Sequence, residues 1–358
     1  MSELRPAWDS LQHVDLISET VNTALLGSGL DIRDIGVVID CGSDVLDGRS
    51  ISNCGFLGAM GAHHKEESRV EEDGLFGAMY ALNKLAGGSA KVGLIVAYSK
   101  PSESIVENYY RTIAEPFYQR PVGLNKAVAS GLLASQYLQE TGASEEDLAS
   151  IAAHAWTAAS QNPTIVGAEA RTAADIEASE YAAAPLRSLA LSRPTDGAVA
   201  VLVAIESVAK RITPNPVWIT GTGSAMESQF FSERTPGRLE AAEVAASSAL
   251  RRAGRKDAAG FSMAEVSAPS AAEEAMVVEA LGLAPRGQAA AAYGGDVDIN
   301  PSGGSLPADP IMATGLVRLH EAAIRLNGGL EGSTATSALV HGSGGIGSQT
   351  HSVFTLEV

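Results

Sequence analysis

Apolar positions along this chain recur with two different periods. Residues 16–29 place them at the spacing of a helix that ends in Gly29, and an unbroken apolar run at 35–39 predicts a buried strand. The same criteria predict further helices at 74–85, 144–160, 239–254 and 315–326, and strands at 92–97, 199–204, 261–266, 337–341 and 352–356. Helices alternating with short apolar strands predict an α/β fold whose sheets are covered on both faces.

The predicted elements form an internal repeat. Helix 16–29 and strand 35–39 have counterparts in helix 239–254 and strand 261–266, and both helices end in Ala-Leu-x-x-x-Gly. The later helices and strands pair in the same order. The repeat predicts two similar βαβα-type halves, residues 1–205 and 206–358, divided near a proline-rich link at 212–216.

The first half carries an insertion, at about residues 99–195, with only partial periodicity. Its helix at 144–160 opens with a capping box at 144–147. An insertion beside a strand end of an α/β protein often covers a substrate. A purely structural packing role explains the pattern equally well, so both interpretations stay open.

Charge and cysteine content narrow the classes of partner. The formal net charge of the 358 residues is −17, and no Lys/Arg-rich run offsets it, so we expect no nucleic-acid or membrane partner. The two cysteines lack metal or CxxC spacing, which favours free thiols in a reducing compartment. His63 and His64 have no third ligand at useful spacing, so no metal site is predicted. Without a long apolar run, a cytoplasmic protein is expected.

Residues 300–315 join an Asn-Pro-Ser-Gly-Gly turn to an Ala-Thr-Gly at the start of a predicted helix. Shorter motifs occur in order elsewhere: Asp-Gly-Arg at 47–49, His154 with Asn-Pro at 162–163, Thr-Asp-Gly-Ala at 195–198 and Gly-Ser-Gly-Gly at 342–345. Together they resemble the thiolase superfamily, in particular its sterol-carrier thiolase-like and lipid-transfer-protein subgroup with the thiolase-like steroid side-chain aldolases. The resemblance implies a thiolase-like fold: two βαβα-type halves packed as a layered αβαβα structure with a loop-domain insertion.

The resemblance also identifies four positions where thiolases do chemistry. These are the cysteine nucleophile, an Asn or His beside the thioester, the histidine of Gly-His-Pro and a second cysteine before the terminal glycine loop. The matching residues here are Gly74, Ser267, Asp309 and His341. Glycine cannot form an acyl-enzyme, so the sequence excludes an ordinary cysteine-dependent thiolase.

Two functions remain open. One is a retro-aldolase that cleaves a β-hydroxyacyl-CoA, which needs a base and donors for an enolate but no covalent intermediate. The other is a catalytically silent acyl-CoA-binding subunit of a hetero-oligomeric thiolase or aldolase complex. The predicted catalytic residues are Tyr293, His341 and Asp309. The predicted acyl-CoA-binding residues are Gly303, Gly304, Gly344, Gly345 and Ser267, and coenzyme A enters only as part of the substrate, with no covalently bound cofactor.

The last expectations concern phosphates and assembly. Several basic residues of the insertion are predicted to meet the nucleotide phosphates of coenzyme A: Lys100, Arg111, Arg120 and Lys126. Thiolases begin with a buried strand, whereas this chain starts almost directly at its first helix, which favours a sheet edge covered by another chain. The resemblance also implies pairing through the strand that follows residues 44–48 and leads to Val70, so a homodimer or hetero-oligomer is expected. The subgroup resemblance implies a zinc-containing OB-fold protein as partner.

Overall fold

The computed structural model describes residues 1–330 and 332–358. Its helices are α1 (His13–Ser28), α2 (Gly74–Ala86), α3 (Val106–Ile113), α4 (Lys126–Thr141), α5 (Glu145–Ser160), α6 (Ala173–Ala178), α7 (Glu206–Ile212), α8 (Glu240–Arg252), α9 (Ala271–Ala280), α10 (Ala289–Ala292) and α11 (Thr314–Leu326). Its strands are β1 (Val37–Cys41), β2 (Glu66–Arg69), β3 (Val92–Ser99), β4 (Tyr181–Ala183), β5 (Leu186–Arg187), β6 (Gly197–Ala204), β7 (Trp218–Met226), β8 (Met263–Glu265), β9 (Asp298–Ile299), β10 (Ser337–Gly344) and β11 (Thr350–Glu357).

The two large sheets repeat one topology. The first has the order β2-β1-β3-β6, and the second has the order β9-β8-β10-β11-β7. In each, the strand that follows the central one is antiparallel: β6 to β3, and β11 to β10. The internal repeat seen in the sequence is therefore a repeat of topology. Among the described residues, only β7 has no counterpart in the first sheet.

Three apolar layers hold the halves together. Helix α1 packs on the outer face of the first sheet through Ile17 and Val21. Helices α2 and α11 lie side by side between the two sheets, where Leu75 and Leu316 share one core. Helices α8 and α9 cover the outer face of the second sheet. This layering is the predicted αβαβα arrangement, and the mixed α/β fold predicted from the sequence is confirmed.

The insertion between β3 and β6 packs across the second half. Helices α4 and α5 contact α9, and Leu133, Tyr137 and Trp156 belong to the core that α8 and α9 also form. The insertion therefore has a packing role. It also brings the start of α4 to the junction of the two halves, where a polar cavity lies. No helix among the described residues is long and apolar enough to cross a membrane.

Candidate functional site

A small polar cavity of about 50 Å³ lies where both halves and the insertion meet. Its walls come from the start of α2, the start of α11, the loop between β10 and β11, and helices α3 and α4. The polar residues that line it include Glu72, Asp73, Tyr109, Lys126, Ser267 and Asp309. Since these residues are far apart in sequence, the site exists only in the folded chain.

Helix α2 begins at the cavity with no side chain that could act as a nucleophile. Gly74 is its first residue, and its N–H donates to the Met312 carbonyl at 2.8 Å. A Cβ on Gly74 would lie 2.7 Å from the Leu316 Cβ and 2.8 Å from the Ala97 Cβ. The close packing of α2 against α11 therefore leaves no room for a cysteine here.

Two carboxyl groups stand immediately before this helix. Asp73 caps α2: one carboxylate oxygen accepts from the Leu75 N–H at 3.0 Å and the other from the Gly315 N–H at 2.7 Å. Burial raises the pKa of Asp73 to about 7 despite these bonds. Burial likewise raises the pKa of Glu72, one oxygen of which accepts from the Asp73 N–H at 3.1 Å. Asp73 can thus exchange protons near neutral pH, and Glu72 holds its proton more strongly than an exposed glutamate does.

Asp309 is held in the cavity wall by a buried ion pair. Its Oδ2 lies 3.0 Å from the Lys126 Nζ and 2.5 Å from the Ser192 Oγ, and its Oδ1 accepts from Thr314 at 2.7 Å. Burial alone raises the pKa of Asp309, but Lys126 and the two hydroxyls outweigh it, and the net pKa lies below its usual value. Asp309 is therefore ionised, and it neutralises the one lysine of the cavity wall.

His341 lies behind the cavity wall. It is fully buried on β10, and its Nε2 lies 3.0 Å from the Nδ1 of His351 on β11. Burial, and then the neighbouring His351, lowers the pKa of His341 far below its usual value, so the ring is neutral. The adjacent wall residue Ser267 reaches the cavity, and its carbonyl accepts from Ser343 at 3.1 Å.

The structure places Tyr293 away from this cavity. Its hydroxyl donates to Glu274 at 2.6 Å, and its ring packs 4.8 Å from that of His154. Glu274 also accepts from Asn300 at 2.8 Å, so the tyrosine belongs to a buried polar group that holds the turn at 300–304. Tyr293 does not line the cavity with Asp309, and its predicted catalytic role has no support from this geometry.

The four predicted glycines divide into two pairs. Gly344 and Gly345 line the cavity, and a Cβ on Gly344 would overlap the Glu72 carboxylate. Gly303 and Gly304 do not line it. Gly303 has φ +103° and a Cβ there would lie 2.6 Å from Ala159 of α5, so this glycine serves loop packing.

Three of the four basic residues predicted to meet phosphates have hydrogen-bond acceptors within the protein. Lys100 is buried, donates to the Leu11 carbonyl at 2.7 Å and pairs with Glu103. Lys126 pairs with Asp309 inside the cavity. Arg120 donates to the Thr112 carbonyl and stays exposed beside α3.

Sequence patterns missed Glu72 and Asp73 and assigned Lys126 only to phosphate binding. The one available signal was the acidic run at 71–73 directly before the α2 helix. Cys41 is buried under α2 and Cys54 is exposed on the first half, and neither lines the cavity. Among the described residues, no group of three or more His, Cys, Asp or Glu side chains could hold a metal ion.

The fold and the cavity define a thiolase-like protein without a cysteine at the start of α2. Residues 223–356 match the family described as thiolase C-terminal domain-like. The structure superimposes on the Ltp2-ChsH2(DUF35) aldolase with a TM-score of 0.85 and 20% identity, over 100% of this chain and 95% of that one. It also superimposes on a monomeric SCP2-thiolase-like protein type 1 of Mycobacterium smegmatis, with a TM-score of 0.74 and 20% identity over 98% and 75% of the two chains.

In sequence, the chain is similar to an acetyl-CoA acetyltransferase of Methanothermobacter thermautotrophicus. The two are 26% identical over 250 residues, which is 66% of this chain and 64% of that protein. The chain thus spans less than two thirds of that relative. The C-terminal part of the chain thus matches a thiolase-type domain, and the chain as a whole shares the fold of the two thiolase-like structures.

Proposed function

We propose that this chain binds an acyl-CoA thioester and cleaves a β-hydroxyacyl-CoA by a retro-aldol reaction without a covalent intermediate. The observation that carries the proposal is the chemistry of residues 72–74, where Glu72 and Asp73 line the cavity and Gly74 begins α2. Gly74 supplies no nucleophile, whereas the preceding Glu72 and Asp73 have pKa values raised toward neutrality. Such a site suits proton transfer and not acyl transfer.

In this reaction Glu72 takes the proton of the β-hydroxyl group. The bond between Cα and Cβ then breaks, a ketone or aldehyde leaves, and the electron pair passes to the thioester as an enolate. Protonation at Cα releases the shortened acyl-CoA. Asp73 is a poorer candidate base because both of its oxygens accept backbone N–H groups.

Two further residues of the cavity wall would stabilise the enolate. Lys126 does so by its charge, since its ammonium already donates to Ser192 and Asp309. The Tyr109 hydroxyl contacts only the weak acceptor Sδ of Met312, at 3.6 Å, and can turn toward a ligand. His341, neutral behind Ser267, acts as a positioning residue in this scheme. The Ltp2-ChsH2(DUF35) aldolase shares the fold, which adds support from a neighbour named as an aldolase.

The assay follows a panel of β-hydroxyacyl-CoA esters, with product analysis for a ketone or aldehyde and for the shortened acyl-CoA. Glu72→Gln should lower kcat by about 10²-fold or more, since a positioned base contributes that much. Glu71→Gln is the matched control, because Glu71 lies outside the cavity and its amide oxygen can still accept from the Asp44 N–H. Thiolysis of 3-oxoacyl-CoA with an acyl-enzyme adduct would overturn the proposal.

A second candidate function is the silent acyl-CoA-binding subunit of a larger complex. The observation that favours it is the charge of the cavity: Glu72, Asp73 and Asp309 face a single cation, Lys126. An enolate forming beside ionised carboxylates would be repelled. Calorimetric binding of acyl-CoA without turnover, alone and with a DUF35-type partner, would favour this function.

A further inference from the structure

A segment of residues 105–124, here called the strap, forms part of the cavity wall. It comprises α3 and the loop that leads to α4, and Tyr109 and Tyr110 of α3 line the cavity. In the loop, the side chains of Phe117 and Val122 are 79% and 80% exposed to solvent. The strap therefore has one face in the cavity wall and another in solvent.

The chain is held firmly just outside both ends of the strap. Before it, the buried Lys100 donates to the Leu11 carbonyl at 2.7 Å. After it, Lys126 pairs with Asp309 at 3.0 Å in the cavity wall. A movement of the strap would therefore leave this ion pair in place.

Few hydrogen bonds join the strap itself to the rest of the molecule. No backbone–backbone bond runs from it to any other part of the chain that the structure describes. Apart from the weak contact of Tyr109 with sulfur, two side-chain bonds hold it, and both involve Gln229. The Gln119 Nε2 donates to the Gln229 carbonyl at 2.7 Å, and the Gln229 Nε2 donates to the Ile113 carbonyl at 3.2 Å. This pair of glutamines acts as a latch.

The apolar packing of the strap is also local. Ala114 and Leu124 form a small cluster with Ala129 of α4 and Ile346 of the loop between β10 and β11. The buried members of this cluster belong to none of the three large cores. Opening of the strap would thus break one small cluster and the latch without disturbing the sheets, as is typical of segments that open locally.

The closed cavity is too small for the proposed substrate. Its volume of about 50 Å³ has room for about four water molecules, at about 10–15 Å³ each. The reacting part of a β-hydroxyacyl thioester, from the sulfur to the β-hydroxyl group, is larger than that. Since α2 and α11 belong to the central core, the strap is the wall that can move to admit it.

We propose that the strap opens to admit an acyl-CoA thioester and closes over it, with the pair Gln119 and Gln229 as its latch. The inference rests on the proposed function for the identity of the ligand. Closure returns Tyr109, a donor for the enolate, to a cavity whose charged residues have not moved. The site is then complete and shielded from water only in the closed state.

Thiol labelling with dithionitrobenzoate measures the opening without any substrate. Cys54→Ser removes the exposed thiol, and Ser267→Cys places a thiol in the cavity wall. In this double variant the introduced thiol should react at least about tenfold more slowly than Cys54 does in the parent chain, because the reagent is larger than the closed cavity. Cys41 is fully buried, so the reaction of a second thiol marks an unfolded chain.

Substitutions in the latch locate the movement. Gln229→Met and Gln119→Met, each added to the double variant, remove one latch bond. Each should speed labelling about fivefold, the factor by which the loss of a neutral hydrogen bond shifts an equilibrium, and both together should speed it further. Gln139→Met is the matched control, because this glutamine is exposed on α4, and it should leave the rate unchanged.

Two results would overturn the strap. One is an introduced thiol that reacts as fast as Cys54, because the cavity would then be open already. The other is a labelling rate that the latch variants do not change, because access would then not depend on the strap. The cleavage assay on the parent chain tests the reaction separately. Faster labelling in the latch variants without cleavage of any β-hydroxyacyl-CoA would support the strap and remove only the proposed reaction.

Discussion

Lys126 and Asp309 depend on each other because both charges are buried. Replacing Lys126 by Met leaves the Asp309 carboxylate without its cation, so we expect a loss of about 3–5 kcal/mol in the free energy of unfolding. The double variant with Asp309→Asn should lose less than the two single variants together. Urea unfolding measures all three.

The exposed pair of Lys210 and Glu206 on α7 provides the comparison. Lys210→Met should leave the free energy of unfolding nearly unchanged, since both side chains are solvated. Strictly additive losses at Lys126 and Asp309 would show that the two groups are not coupled.

At the residue scale, the buried carboxyl group of Glu274 should make the stability of the protein depend on pH. Burial raises its pKa to about 7, while the unfolded chain keeps the model-peptide value near 4.5. The folded state thus binds more protons between these values, and the stability contribution is full below pH 4.5 and is lost as the pH rises through 7. Glu274→Gln should remove this loss, and so stabilise the protein at pH 8 by about 3 kcal/mol relative to the parent chain.

Glu274→Gln preserves the hydrogen bonds that the Glu274 side chain accepts. One Glu274 oxygen accepts from Tyr293 and Asn300, and the other has no partner among the described residues, so an amide can replace it. Denaturant unfolding at pH 5 and pH 8 provides the measurement. A variant with the same pH slope as the parent would show that Glu274 is already ionised in the folded chain. Glu240→Gln, on the exposed side of α8, should leave the slope unchanged.

At the scale of elements, the sequence predicts most of the helices and strands that are buried on both faces. Strand β3 and the helix α2 appear where the apolar pattern puts them, because continuous burial leaves a continuous apolar run. Strand β2 has the sequence Glu-Glu-Ser-Arg at the sheet edge and carries no such signal. The short β4 and β5 of the insertion were missed for the same reason.

A substitution at the start of α2 tests how closely this helix packs against α11. Gly74→Cys restores a cysteine at the helix N-terminus, but its Cβ would meet Leu316 and Ala97. We expect a loss of about 1–3 kcal/mol in stability from overpacking and no thiolase activity. Gly27→Cys on α1 is the control, since nothing lies within 4 Å of its Cβ position. A stable Gly74→Cys variant that forms an acyl-enzyme would show that α2 and α11 can move apart.

At the scale of the whole molecule, the candidate site shows the limit of sequence analysis. The motifs found Asp309, Ser267 and the Gly344–Gly345 loop because each is defined by local residues. The partner of Asp309 is 183 residues away in the insertion, and no local pattern could identify it. Tyr293 was placed by its short distance from residue 300 along the chain, yet its side chain turns to Glu274. A short separation along the chain does not determine which way a side chain points in the folded protein.

The outer edge of β2 leads to a prediction about assembly. The Val70 N–H donates to the Asp40 carbonyl at 2.8 Å, so by alternation the N–H groups of Glu67 and Arg69 point away from the sheet. Two-fold antiparallel pairing of two β2 strands about Ser68 would put each Glu67 opposite an Arg69, which complements their charges. We therefore expect a dimer, with twice the 36.8 kDa mass of the chain in light scattering.

Glu67→Pro removes the outward N–H and should shift the mass toward the monomer, whereas Glu67→Gln keeps that N–H and should remain dimeric. Hydrogen exchange adds a local measurement, because the Glu67 amide is open to solvent in a monomer and hydrogen-bonded in the paired sheet. A folded parent chain that stays monomeric at all concentrations would contradict this pairing. The first sheet would then end at β2, and its charged residues would serve to keep the edge free of other strands.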